Sequence, residues 1–323
     1  MVLARLLAAL LFSLGLGLGA AHAQTYPNKV IKIIVPFVPG SPVDGAARIL
    51  AHQMQMRLGQ NVVIENRPGG GTTIGSKAVV TAAPDGYTLL YIGANITYTP
   101  VLHPSLDFDP IKSLVPVATT VTWSHVIAVA PSVPAKTIAE LVAHAKANPG
   151  QVIFGYGLST TPHILGESFK RAAGIDLAGI PYRGGEQARA DLLGGRIHLN
   201  IAPLANMLPL IQDDKVRPLA FTGPQRSPHL PDLPTMIESG LPQVGYDPDV
   251  WLGFFAPLGT PTDVIDKLNR AVNDSLASLE MKPTYARFGM EPQITTPKQF
   301  ADFLAAEARK WPPLLQQAGL KPE

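Results

Sequence analysis

Residues Ile33-Ile34-Val35 run without a break into Pro36-Phe37-Val38-Pro39-Gly40 and then into Ser41-Pro42-Val43-Asp44. An apolar run that stops at Pro and Gly reads as a strand end. The next residues read as a helix start, with Ser41 as N-cap, Pro42 at the first helical position and Asp44 closing the cap. A buried strand delivered straight to a helix N-terminus is the repeating unit of α/β sheets. The turn between them gathers free backbone N–H groups at the positive end of the helix dipole, so it is also where such folds hold small anions.

Ahead of this unit lies a targeting segment. Arg5 supplies a positive start, residues 6–18 an apolar stretch, and Ala21-His22-Ala23 an A-x-A cleavage site, so residues 1–23 read as a signal peptide. The apolar stretch is too short for a membrane span and lacks a basic stop-transfer flank. With no Cys in the chain there is neither a lipidation site nor a disulfide framework. The mature protein is expected free in the periplasm, without stable membrane insertion. A net charge of +2 and a charged content of 15% argue against a nucleic-acid surface.

Strand-like and helical runs alternate over 30–35, 43 onward, 62–65, 73 onward and 88–92, the rhythm of a doubly wound sheet. After a Pro-punctuated stretch, 100–116, the rhythm resumes. Strands are expected at 125–130, 152–154, 179–181 and 197–201, with helices at 138–147, 164–173 and 187–193. Residues 216–249 are rich in Pro and Gly. A last strand at 250–256 and helices around 264–279 and 300–315 bury too little surface to stand alone, so they are assigned to the first lobe. The expected architecture is α/β, with two doubly wound lobes forming a clamshell. Lobe 1 takes residues 24–124 and 246–323 and lobe 2 takes 125–245, with crossings near 122–125 and 245–250. Strand ends of both lobes then face one cleft, suited to closing on a solute.

Six motifs in order carry a family resemblance: Val35-Pro36-Phe37-x-Pro39-Gly40-x-x-x-Asp44, Glu65-Asn66-Arg67-Pro68-Gly69, Ala83-Pro84-Asp85-Gly86-Tyr87-Thr88-Leu89, Pro181-Tyr182-x-Gly184-Gly185, Asp191-Leu192-Leu193-Gly194-Gly195 and Phe255-Ala256-Pro257-x-Gly259-Thr260-Pro261. In order and spacing the chain resembles the Bug family, the periplasmic receptors of tripartite tricarboxylate transporters. The resemblance implies a type II periplasmic-binding-protein fold, a small carboxylate ligand, often a dicarboxylate, and inner-membrane transporter subunits as partners. A monomer is expected. The alternative reading is a receptor that presents its bound carboxylate to a two-component sensor kinase. Ser41-Pro42-Val43 departs from the family's usual second glycine and small polar pair.

The candidate ligand-binding residues follow from the strand ends. Phe37, Pro39, Gly40 and Ser41 form the first rim loop, and Asp44 is expected to fix that loop, since its charge would repel a carboxylate. Asn95, Thr97 and Tyr98 follow the strand at 88–92. In lobe 2, Ser159, Thr160, Thr161 and His163 precede or open a helix whose hydroxyls and N–H groups suit a carboxylate without a countercharge. Tyr156 is a candidate wall. Arg183, Gly184 and Asn206 end the two following strands. Recognition by neutral donors is expected to outweigh any salt bridge to Arg183.

The same sequence gives little support to catalysis. There is no Cys and no Gly-x-Ser-x-Gly elbow, and the histidines lack metal-ligand spacing, so neither catalytic residues nor a metal or other cofactor is expected. Gly70-Gly71-Thr72-Thr73-Ile74-Gly75-Ser76-Lys77 mimics a phosphate loop, but its last pair is reversed and the lysine is displaced.

Overall fold

The computed structural model describes residues 26–158, 160–182, 184–244, 250–283, 285 and 289–317. The signal segment 1–23 and the second crossing, 245–249, lie outside the described residues.

In chain order the elements are β1 (Ile31–Val35), α1 (Pro42–Leu58), β2 (Val62–Asn66), α2 (Thr73–Val80), β3 (Thr88–Gly93), α3 (Asn95–Leu102), β4 (Leu114–Trp123) and β5 (His125–Val129). Then come α4 (Ile138–Ala147), β6 (Ile153–Gly157), α5 (Thr161–Ala173), β7 (Ala178–Tyr182), α6 (Gly185–Leu193), β8 (Leu199–Pro203), α7 (Leu204–Gln212) and β9 (Arg217–Phe221). The last are β10 (Val250–Pro257), α8 (Thr262–Leu276), β11 (Glu291–Pro292) and α9 (Pro297–Gln317).

Two sheets organise these elements. The first runs β11-β4-β10-β3-β1-β2 and the second β7-β6-β8-β5-β9. Strand β10 therefore lies in the sheet of β1, while the second sheet draws all its strands from one continuous stretch. Only Ser124 separates β4 in the first sheet from β5 in the second, which makes it the first crossing. Both sheets are mixed rather than wholly parallel. Strands β2, β1 and β3 are parallel, but β10 runs antiparallel to β3 and β4, and β5 antiparallel to β8 and β9.

The apolar strands of lobe 1 follow from coverage of both sheet faces. Ile33, Leu89 and Phe254 turn to one face and pack against Leu50 and Met54 of α1 and Leu268 and Val272 of α8. Ile34, Leu90 and Phe255 turn to the other, against Val79 of α2, Tyr98 of α3, and Phe300 and Trp311 of α9. Alternate residues thus enter different cores, so a one-residue slip would put every side chain of the strand on the wrong face. On the second face, the buried Glu307 accepts from Nε1 of Trp251 at 2.8 Å, Nε1 of Trp311 at 3.0 Å and Nζ of Lys310 at 2.9 Å.

Four elements depart from the expected pattern. The stretch 100–116 runs into the ten-residue strand β4, and 216–249 contains β9. Helices α3 and α7 form despite Pro100 and Pro209 within them. Asn206 consequently sits in the first turn of α7 rather than in a strand-end loop.

Candidate functional site

The first rim loop has a rigid cause. Gly40 takes φ +80°, a conformation that favours glycine, and Ser41 caps α1 by accepting from the Asp44 N–H at 3.3 Å. Asp44, 2% exposed, accepts at Oδ2 from Gly40 N–H and from Arg48 Nε, both at 2.9 Å, and at Oδ1 from Asn66 Nδ2 at 2.9 Å. Asn66 Nδ2 also donates to the Phe37 carbonyl at 3.1 Å. Burial alone would raise the Asp44 pKa, but the hydrogen bonds from Arg48, Gly40 and Asn66 outweigh it and hold the carboxyl below its ordinary value. Asp44 therefore fixes the loop, with its oxygens turned to protein donors. Sequence reasoning missed Arg48 and Asn66 as partners; the signal was the Glu65-Asn66-Arg67-Pro68-Gly69 run at the end of the adjacent parallel strand.

This architecture thins out the loop's free donors. Pro36, Pro39 and Pro42 have no N–H, Gly40 N–H goes to Asp44, and Ser41 N–H goes to the Val38 carbonyl at 3.2 Å. The amides of Phe37 and Val38 remain, without partners among the described residues.

On the second lobe 1 rim, the Thr97 hydroxyl donates to the Ala94 carbonyl at 2.6 Å and Thr97 is buried, so it is a local cap and not a ligand donor. Tyr98 is buried, with its hydroxyl meeting the side chains of Asn95 and Thr161, and burial raises its pKa. The Thr161 partner belongs to lobe 2, so this contact joins the lobes.

The lobe 2 rim runs from β6 into α5. Thr160 holds the N-cap position of α5, but its hydroxyl donates back to the Gly157 carbonyl at 2.7 Å rather than capping the helix. No acid occupies the first turn. The amides of Thr160 and Thr161 accordingly remain without partners among the described residues, a donor arrangement that suits an anion. By contrast α1 carries Asp44 and α6 carries Glu186 in its first turn. Ser159 and Arg183 lie outside the described residues.

Tyr156 and His163 pack against each other. Their rings stack at 4.1 Å and 4° from parallel, and Tyr156 packs beside Phe154 and over Gly179, against the lobe 2 core. The cause is strand alternation: Phe154 and Tyr156 share the sheet face covered by α5, and the Tyr156 ring leans toward Gly179, away from the strand end.

Residues of both lobes meet around a cavity of about 290 Å³ lined by Gly40, Ser41 and Ile49 of lobe 1, by Arg189 and Asn206 of lobe 2, and by Met290. Arg189 pairs with Glu186 on the same helix, which keeps this mouth electrically balanced. Gly184 sits next to it as the N-cap of α6. Among the described residues no group of three or more His, Asp or Glu side chains could hold a metal ion, and no helix is long and apolar enough to cross a membrane.

Two mixed α/β sheets with flanking helices, facing each other across a cleft rimmed by strand ends and helix N-termini, define a two-lobed solute-binding protein. The chain matches the family model described as the tripartite tricarboxylate transporter family receptor (TctC) over residues 46–320. It belongs to that family, which is one of binding receptors rather than enzymes. It is 36% identical to protein BugT of Bordetella pertussis over 326 residues, 99% of each chain. Among solved structures, the periplasmic binding protein BugD superposes with a TM-score of 0.82 at 32% identity, covering 92% of this chain and 100% of that one. An R. palustris protein solved with adipate superposes with a TM-score of 0.84 at 31% identity, again over 92% and 100%.

Proposed function

We propose that this protein is a periplasmic receptor that captures a small carboxylate, a dicarboxylate in particular, in the inter-lobe cleft and delivers it to the membrane subunits of a tripartite tricarboxylate-type transporter. The observation that carries this reading is a pair of unpartnered backbone amides on each lobe, Phe37 and Val38 on one rim and Thr160 and Thr161 on the other, the latter at a helix N-terminus with no acid in its first turn. The relative solved with adipate supports the ligand class.

Capture works through fixed backbone dipoles. A carboxylate oxygen between these amide nests replaces its water shell with N–H donors already in place, so little ordering is left to do when it binds. Four such bonds at about 1.5–3 kcal/mol each give roughly 6–12 kcal/mol before ordering costs, against the ~8 kcal/mol that micromolar binding requires. Each lobe alone offers half of this, so binding needs both rims at once. A neutral nest also avoids desolvating a full cation, and it leaves release possible.

The test is calorimetric titration and thermal shift of the mature chain with adipate and a panel of C4–C6 diacids. A saturating ligand at 100 times its Kd adds about 2.7 kcal/mol of stability. If no carboxylate raises Tm or gives heat at millimolar concentration, the reading is wrong.

A further inference from the structure

Helix α5 belongs to lobe 2 but packs into both lobes. Leu165 and Phe169 enter the core of its own lobe. Ile164, fully buried, sits among Tyr98, Trp251, Phe300, Trp311 and Leu315 of lobe 1. In the reverse direction, Leu314 of α9 packs against the lobe 2 core. One turn before Ile164, the Tyr98 hydroxyl meets the Thr161 side chain, and the Tyr98 ring rests edge-on against Trp311 with centroids 5.1 Å apart. Trp311 is in turn held by its bond to the buried Glu307. This flank of the cleft, formed by α3, α5 and α9, is closed by buried, mainly apolar packing.

The opposite flank differs in kind. There α1 faces α6 and α7 across the 290 Å³ cavity, and its lining mixes the apolar Ile49 and Met290 with Ser41, Asn206 and the Glu186–Arg189 pair. The walls of this mouth already face a cavity, so parting them exposes little surface that is now buried, whereas parting the other flank would expose Ile164 and the aromatic cluster around it. An opening motion takes the easier side.

We propose that the α3–α5–α9 contact is a standing fulcrum, with Tyr98 and Ile164 as its positioning residues: it keeps the first turn of α5 beside lobe 1 with or without ligand, and the cleft opens by α6 and α7 swinging away from α1. The lobe 2 amide nest then stays aligned with the lobe 1 rim in the empty receptor, and ligand enters from the α1/α6/α7 side. This inference rests on the cleft being the ligand site, but its central test needs no ligand.

Because the chain has no cysteine, spin-label pairs can be placed without background. Arg171→Cys with Ala306→Cys spans the fulcrum, and His52→Cys with Gln187→Cys spans the mouth; all four positions are exposed. Electron–electron resonance on the ligand-free mature protein should give a single narrow distance for the first pair and a broad distribution for the second. Adipate should shorten and narrow only the second. Ile164→Ala should broaden the first pair and Ile164→Val should restore it. Tyr98→Phe should weaken adipate binding roughly 5- to 10-fold with unchanged circular dichroism. Equal breadth of the two pairs without ligand, or narrow distances for both that no ligand moves, would overturn the fulcrum. If adipate and the other diacids give no calorimetric binding, the functional reading fails, while the ligand-free distances still decide the hinge geometry.

Discussion

The Asp44 cluster gives the sharpest single perturbation, Asp44→Asn. The substitution preserves size but replaces one acceptor oxygen with a donor. In the native loop three donors converge on this carboxylate, from Gly40, Arg48 and Asn66, so one amide group must now face another donor in a site that is 2% exposed. A hydrogen bond to a charged group contributes about 1.5–3 kcal/mol, and the exposed Arg48 partner deserves a discount for solvent screening. Loss of one full bond and weakening of another predicts a destabilisation of roughly 2–3 kcal/mol at pH 7, or a Tm lower by roughly 4–9 °C. The pH dependence gives an independent check. The folded pKa of Asp44 lies below its unfolded value, so its contribution is complete above the ordinary carboxylate range and is lost as pH falls through the folded pKa. Differential scanning calorimetry from pH 8 to pH 2.5 should therefore show a gap between wild type and variant that is constant down to about pH 4 and shrinks below it. Adipate affinity at pH 7 should also fall about tenfold as Gly40 loses its anchor. A variant with the wild-type Tm at pH 7, or a gap that widens in acid, would refute the assignment of Asp44 as the ionised keystone of this loop.

Other perturbations have equally definite outcomes. Trp251→Phe removes one indole donor from the buried Glu307, and urea unfolding should show a loss of about 2–4 kcal/mol with an unchanged m-value. Gly86→Ala places a Cβ 2.3 Å from Val264 Cγ1 at a φ of +80°, so a Tm drop of several degrees is expected by scanning fluorimetry. Thr160→Val loses the hydroxyl bond to Gly157 but keeps the Thr160 amide, so calorimetry should show a modest loss of adipate affinity, about 1 kcal/mol, rather than abolition.

Where a signal is local, it was legible. The α4 boundaries, Ile138–Ala147, follow from sequence because Thr137 caps the Glu140 N–H at 3.1 Å and Glu140 returns a bond to the Lys136 N–H at 2.7 Å, a reciprocal device readable within five residues. The missed strands β4 and β9 each contain a proline, Pro116 and Pro218, and each meets its partner at a register irregularity. Pro116 sits opposite Phe255 beside a shift, and Pro218 sits opposite Ala128 beside another. Strand β9 is also a sheet edge, where a missing N–H costs little. Such accommodation depends on the partner strand, which no local pattern reveals. The rim loops were found for the same local reasons as α4, but the assignment of their side chains was decided elsewhere. Thr97 and Thr160 turn to carbonyls three residues back, Thr161 to a tyrosine of the other lobe, and Tyr156 to His163. What remained legible was the backbone chemistry at the strand ends.

The sheet order β11-β4-β10-β3-β1-β2 also sets a schedule for folding. All strands of the second sheet are complete once residue 221 is available, whereas the first sheet waits for β10, the strand that fills the gap between β3 and β4. A nascent chain thus carries β3 and β4 with unpaired edges while the intervening lobe assembles. The pairing of β10 with β3 spans a longer stretch of sequence than any pairing in the second sheet, so it forms late and leaves those edges open to aggregation meanwhile. Removing the chain's last sixty-odd residues would leave lobe 2 intact in its connectivity and leave the first sheet without α8 and α9, the helices that cover its two faces.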